Sequence, residues 1–115
     1  MAKIYETREA AREACEMYGT TACNRVADAI ALADAGEAGR AWNRADEAQM
    51  NAEAAMKAHD DLWELSKHRL TKKEREAFEL AELGEGKAIK AAQACATAVE
   101  KIQAAFDAER KGAKA

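Results

Sequence analysis

The stretch Glu37–His68, EAGRAWNRADEAQMNAEAAMKAHDDLWELSKH, decides the fold of this chain. Alanine recurs in it every few residues, and after Gly39 neither proline nor glycine interrupts it. Projected at about 100° per residue, the alanines share one arc with larger apolar side chains. The pattern predicts one long amphipathic helix of about 45 Å. The arc contains Ala38, Ala41, Trp42, Ala45, Ala48, Ala52, Ala55, Met56, His59, Leu62 and Trp63.

Glycines and one capping sequence divide the rest of the chain. Glycine is common just past the end of a helix, so each glycine or glycine pair is interpreted as an interruption between helices. Thr71-Lys72-Lys73-Glu74 is typical of a capping box, which begins a helix. The predicted helices span about 3–18, 20–35, 37–68, 71–83 and 87–111, with interruptions at Gly19, Gly36/Gly39, Leu70-Thr71 and Gly84/Gly86.

The composition favours the same class of fold. Alanine fills 31 of the 115 positions, whereas Leu, Ile, Val and Phe together fill 14. Alanine and most charged residues favour helices, and the β-branched and aromatic residues that favour strands are scarce. We therefore predict an all-α fold in a single helical domain over residues 1–115. Its architecture is expected to be an antiparallel bundle of four to five alanine-rich helices, with two long helices at about 37–68 and 87–111.

A heptad-like seam marks the last predicted helix. Its apolar residues step by 4, 3, 4, 3 and 4 positions, which is the a/d pattern of helices packed against one another. A core made mostly of alanine removes little apolar area from water, so we expect the long helices to bury more surface in a second copy, as a homodimer. The seam consists of Ala88, Ala92, Cys95, Val99, Ile102 and Phe106.

The sequence lacks the motifs of catalysis and of metal or cofactor binding. A di-iron bundle needs Glu-x-x-His pairs, but Met56 and Leu65 stand three residues before His59 and His68. Gly84-Glu85-Gly86-Lys87 lacks the spacing of a phosphate-binding loop. We therefore expect no enzyme, no catalytic residue, no metal and no cofactor.

Cysteine usage and hydropathy bear on the compartment. Three cysteines form no Cys-x-x-Cys pair, and we interpret them as small apolar side chains. Apolar runs are far shorter than the ~20 residues that span a bilayer, and no charged-then-apolar leader opens the sequence. We expect a cytoplasmic protein with reduced thiols and no contact with membranes.

The net charge of −3 conceals two patches of opposite sign. Four acids of the long helix fall within about 40° of one another beside the apolar arc. A solvated face would explain them, but they also fit a surface that engages a basic patch on another protein. Tryptophan is a favoured anchor in such contacts. The predicted partner-binding residues are Asp46, Glu53, Asp60, Glu64, Trp42 and Trp63.

The second patch is basic. Residues 67–75 carry a net charge of +4, which suits either the electrostatics of a helix end or contact with phosphates. The possible nucleic-acid contacts are Lys67, Arg69, Lys72, Lys73 and Arg75.

The segment that starts in this basic patch resembles a known DNA-binding opening. Leu70-Thr71-Lys72-Lys73-Glu74-Arg75-Glu76, followed by Phe78, Leu80 and Gly84/Gly86, is similar to the start of the helix-turn-helix domains of LuxR-type regulators and of region 4 of sigma factors. The likeness covers about 15 residues. In those families a second turn precedes a recognition helix in the major groove, whereas this sequence has no glycine from Ala88 to Phe106.

These observations predict a non-enzymatic protein-binding module, a small adaptor or inhibitor that engages a larger protein machine through its charged helical surface. Small acidic helical proteins made by phages and plasmids against host systems offer an analogy of size and class. The alternative is a nucleic-acid-binding regulator that uses the basic corner at 67–75 and the degenerate helix-turn-helix-like segment. A purely structural assembly unit is the third possibility.

Overall fold

The computed structural model describes residues 4–114, and these residues form three helices without strands. Helix α1 spans Arg8–Asp34, α2 spans Ala38–Leu65 and α3 spans Lys72–Lys114. The short connections make neighbouring helices antiparallel. No helix of the described part of the chain is apolar over a long enough stretch to cross a membrane. The all-α class is confirmed, whereas the predicted count of four to five helices is not: three are found.

The helix ends follow from local chemistry. Thr7 caps α1, because its Oγ1 accepts a hydrogen bond from the Ala10 N–H at 3.1 Å. Gly36, with φ of +80°, makes the turn into α2 in a conformation that other residues rarely adopt. The predicted capping box is confirmed: Glu74 Oε1 accepts from the Thr71 N–H at 2.9 Å, and Thr71 Oγ1 accepts from the Glu74 N–H at 3.3 Å.

Four of the glycines that are predicted to interrupt helices lie inside them: Gly19, Gly39, Gly84 and Gly86. A Cβ on Gly19 would stand 2.7 Å from the carbonyl oxygen of Leu80, and a Cβ on Gly84 would stand 3.1 Å from the carbonyl oxygen of Gly19. The missing side chains therefore let the backbones of α1 and α3 come into contact. The prediction of helix ends at Gly19 and at Gly84/Gly86 is wrong, because α1 and α3 continue through these positions. Gly19 and Gly84 serve packing between the two helices, whereas a Cβ on Gly86 would meet no atom within 4 Å.

Alanine fills most of the core. On α2 the predicted arc is largely buried, and Leu62 is the largest fully buried side chain. Trp42 and Trp63 lie at the edge of this arc and stay partly exposed. Because alanine is small and has no rotamer freedom to lose, three backbones pack closely at low entropic cost. The buried positions of α2 include Ala41, Ala45, Ala48, Ala52, Ala55, Ala58 and Leu62.

The C-terminal part of α3 extends beyond the other two helices. Ala98 is the last buried residue described in α3, and it lies beside Ala33 and Gly36 at the turn between α1 and α2. Every residue of 99–112 is exposed, and we call this segment the overhang. It accounts for the elongated shape, 68 Å by 26 Å by 17 Å. The predicted seam is therefore covered by α1 and α2 only as far as Ala98.

Candidate protein-binding surface between α2 and α3

The predicted acidic stripe lies on the solvent side of α2. All four of its carboxylates are exposed, while the alanines on the opposite side of the helix are buried. The helix runs without a break from Ala38 to Leu65, so acids spaced at seven, seven and four residues stay on one side. The stripe consists of Asp46, Glu53, Asp60 and Glu64.

Helix α3 adds a second row of carboxylates. Glu85 lines the same surface depression as Glu53 and Asp60. Between the rows, His59 Nδ1 lies 3.3 Å from Asp60 Oδ1, and its Nε2 lies 3.2 Å from Glu82 Oε1. We call the whole surface the acidic groove. Its carboxylates are Asp46, Glu53, Asp60, Glu64, Glu82 and Glu85.

The two acids of α3 are absent from the predicted stripe because a helix end was predicted near Gly84. Their spacing in the sequence could have revealed them. Glu82 and Glu85 are three residues apart, Phe78 stands four residues before Glu82, and Ile89 stands four residues after Glu85. On an unbroken helix this spacing places all four side chains on one side.

The carboxylates of the groove lack the arginine partners that several other acids of the bundle have. Elsewhere five acids pair with arginine; Glu47 Oε2, for example, lies 3.0 Å from Arg25 and 2.9 Å from Arg44. Within residues 4–112, none of the six groove carboxylates forms an ion pair with lysine or arginine. The groove therefore presents negative charge that the fold leaves uncompensated.

Lys57, at the rim of the groove, is held by a buried carboxylate. Its Nζ lies 3.2 Å from Asp61 Oδ1, while Asp61 Oδ2 accepts hydrogen bonds from the N–H groups of Ile4 and Tyr5 at 3.0 and 3.1 Å. Burial by itself raises the pKa of Asp61, but the hydrogen bonds from Tyr5, Lys57 and Ile4 outweigh it and lower the pKa below its usual value. Asp61 thus fastens the segment before α1 to α2, a role that sequence reasoning missed.

Two tryptophans stand near the two ends of the stripe. Trp42 is 38% exposed and Trp63 is 40% exposed, so each ring keeps a free side that can contact another molecule. Twenty-one residues separate them, which is about 32 Å along a helix. Trp63 stacks on His68 with ring centroids 4.8 Å apart, and His59 stacks on Phe78 at 3.6 Å. The Trp63 ring also lies 6.0 Å from that of Phe78, so His68 and Phe78 together hold Trp63 in place.

The cysteines behave as buried apolar side chains at two of their three positions. Cys15 and Cys95 are fully buried, and Cys23 is partly exposed. Burial, with smaller contributions from nearby carboxylates, raises the pKa of Cys15 to about 12, so its thiol stays protonated at neutral pH. Burial and the charge of Asp46 raise the pKa of Cys95. Asp46, the first residue of the stripe, therefore lies near α3.

The predicted basic corner surrounds the turn between α2 and α3. All five of its cations are exposed. Lys67 and His68 adopt positive φ angles of 54° and 66°, and their N–H groups bond to the carbonyl oxygens of Glu64 and Trp63 at 3.1 Å. The corner consists of Lys67, Arg69, Lys72, Lys73 and Arg75. The structure brings these residues together, but it places no second turn within α3, so the helix-turn-helix-like segment lacks a separate recognition helix.

One ion pair ties this corner to the start of α1. Arg8 Nε donates to Glu74 Oε2 at 2.9 Å, and Arg8 Nη2 donates to the carbonyl oxygen of Arg69 at 3.1 Å. The hydrogen bond from Arg8 outweighs burial and, with the bonds from Thr71, lowers the pKa of Glu74 to about 2.

Comparison with known proteins identifies no related protein from which a function could be inferred. No protein-family model, curated protein or solved structure matches this chain significantly. Within the described residues, no group of three or more His, Cys, Asp or Glu side chains is placed to hold a metal ion.

Proposed function

We propose that this chain is a non-enzymatic protein-binding module whose acidic groove takes a basic surface of a larger protein. The observation that carries the proposal is that carboxylates without a lysine or arginine partner are collected along one groove. Six carboxylates line this one groove without a lysine or arginine partner among the described residues, whereas five acids elsewhere on the bundle pair with arginine. Like charges held close together repel, so lysines or arginines from a partner would relieve a cost that the fold leaves in place.

The dimensions of the surface suit a macromolecule. The stripe and its tryptophans extend over about 32 Å of helix. Aromatic anchors surrounded by charged residues are typical of interfaces between proteins, in which the anchors supply affinity and the charges supply rate and specificity. By occupying a basic surface, an adaptor or inhibitor of this kind would also compete with nucleic acid that binds there.

The experiment compares two matched charge reversals. The chain is immobilised and exposed to host lysate at two salt concentrations, and bound proteins are identified by mass spectrometry. Glu53→Lys with Asp60→Lys should abolish capture of a discrete basic partner, because both carboxylates lie in the groove. Lys72→Glu with Lys73→Glu changes as many charges at the basic corner and should leave capture intact. Capture that survives reversal of the groove would overturn the proposal.

The basic corner supports the second candidate, a nucleic-acid-binding regulator. Its cations are exposed and surround the N-terminus of α3, where free backbone N–H groups favour anions. This candidate predicts a gel shift with duplex DNA that weakens steeply with salt and disappears in the Lys72→Glu, Lys73→Glu variant. That result, together with groove variants that retain activity, would select the regulator.

A further inference from the structure

We propose that the overhang of α3 pairs in antiparallel orientation with the overhang of a second copy of this chain. Val99, Ile102 and Phe106 are 42%, 46% and 55% exposed, although they continue the same a/d spacing that is buried at Cys95. In a bundle this spacing packs against a neighbouring helix. The end of α1 reaches only as far as Ile102, which lines one depression with Ala33 and Gly36, so a neighbour that covers the seam up to Phe106 must come from outside the chain.

The small residues beside the apolar seam permit a close neighbour. Ala98, Ala105 and Gly112 recur at intervals of seven on one flank. Residues 99–112 carry three acids and three bases, so two copies meet without net repulsion. The seam is thus compatible with itself in both shape and charge.

The fold determines the orientation of the pair. The exposed seam continues the side of α3 that is buried against α1 and α2, so it faces the space above the turn between those helices. A parallel partner helix would run down that space into the turn at residues 35–37. An antiparallel partner instead approaches from the open end, and its own bundle lies beyond the tip of this chain's overhang.

Charge complementarity supports this arrangement. Pairing Ile102 of each copy with Phe106 of the other sets the register and brings Arg110 of the second copy level with Ala98. There Asp34 lines a depression of about 330 Å³ together with Ala98 and Lys101. The last turn of α1 contains no basic residue, so the negative end of its dipole adds to the charge of Asp34. The cationic tip, with Arg110 and Lys111, therefore meets the carboxylate of Asp34 on the other copy, which forms no ion pair with Lys101 within the described residues.

The size of the contact determines the concentrations to use. Fourteen residues extend about 21 Å along a helix. Two such segments and two turns form a contact near the lower limit of stable interfaces, ~1,200 Å² in total. We therefore expect a reversible dimer with a Kd on the order of micromolar.

The first test is sedimentation of the full chain across concentrations up to about 0.5 mM, well above such a Kd. Wild type should approach twice the 12.5 kDa of one chain. Ile102→Glu with Phe106→Glu should raise the Kd at least tenfold. Leu83→Glu with Ile89→Glu, on equally exposed apolar residues of the covered part of α3, should leave the Kd unchanged. Circular dichroism at 222 nm checks that each variant keeps its helices. A wild-type protein that stays monomeric at every concentration would overturn the proposal. An equal loss of dimer affinity in the two double variants would overturn it as well.

A charge exchange tests the register. Asp34→Lys alone and Arg110→Glu with Lys111→Glu should each weaken the dimer several-fold, and combining all three changes should restore most of the affinity. If the triple variant dimerises no more tightly than the weaker of the two separate variants, the antiparallel arrangement is overturned.

Discussion

At the scale of single residues, two buried carboxylates fasten the molecule where its helices meet. Glu74 closes the capping box of α3 and binds Arg8 of α1, while Asp61 holds the backbone of Ile4 and Tyr5. Each joins parts of the chain that are 56 or more residues apart. Both are ionised in the folded state, so the stability that they provide depends on pH.

Glu74→Gln tests this dependence. The folded pKa of Glu74, about 2, is lower than its ordinary value of 4.5, so its contribution is complete above pH 4.5 and is lost as the pH falls through about 2. At pH 7 the change should lower the free energy of unfolding by about 1.5–3 kcal/mol, the usual value of a hydrogen bond to a charged group. Urea unfolding at pH 7, 5 and 3 should show the difference from wild type shrinking with acidity. The exposed neighbour variant Glu76→Gln is the control, and a difference constant from pH 7 to 3 would contradict the assignment.

At the scale of helices, the crossing of α1 and α3 depends on the absence of two side chains. Gly19 contacts the backbone of Leu80 and Ala81, and Gly84 contacts Gly19 and Ala22. The crossing explains why glycine, which costs about 1 kcal/mol in a helix, lies in the middle of both.

Gly19→Ala should therefore destabilise the protein by about 1–3 kcal/mol, although alanine is the better helix former. The added Cβ would stand 2.7 Å from a carbonyl oxygen, and backbone cannot rotate away as a side chain can. Gly86→Ala is the matched control on α3: no atom lies within 4 Å of its Cβ position, so the variant should be neutral or more stable by up to about 1 kcal/mol. The midpoints of urea unfolding measure both, and equal shifts would show that the crossing is looser than described.

The same crossing marks the limit of prediction from sequence. Local patterns predicted α2 almost to its ends, and they predicted the capping box at Thr71 correctly. They failed at Gly19 and Gly84, since a glycine that ends a helix and one that admits a neighbouring backbone look alike in one sequence. The four acids of the stripe were found through their spacing on one helix. The acids of α3 were missed because their place opposite α2 depends on the unbroken third helix.

At the scale of the whole molecule, alanine leaves the core without spare volume. Ala52 is fully buried in the cluster that all three helices share. Ala52→Trp should force the helices apart and lower the free energy of unfolding by about 1–3 kcal/mol or more. Thermal unfolding followed by circular dichroism measures this effect, with Met50→Trp on the exposed side of α2 as the control. An unchanged Tm for Ala52→Trp would show that the assigned core is wrong.

The three helices of the described residues set the start of α1 and the end of α3 at opposite poles. Arg8, at the start of α1, bonds to Glu74 near the start of α3 and to Arg69 of the basic corner, whereas α3 finishes at the far end of a molecule 68 Å long. A bulky fluorescent reporter fused ahead of α1 would crowd the basic corner, and the same reporter fused after α3 would crowd the tip of the overhang. Comparing the two fusions in living cells would separate the tasks of the two poles without changing a single side chain.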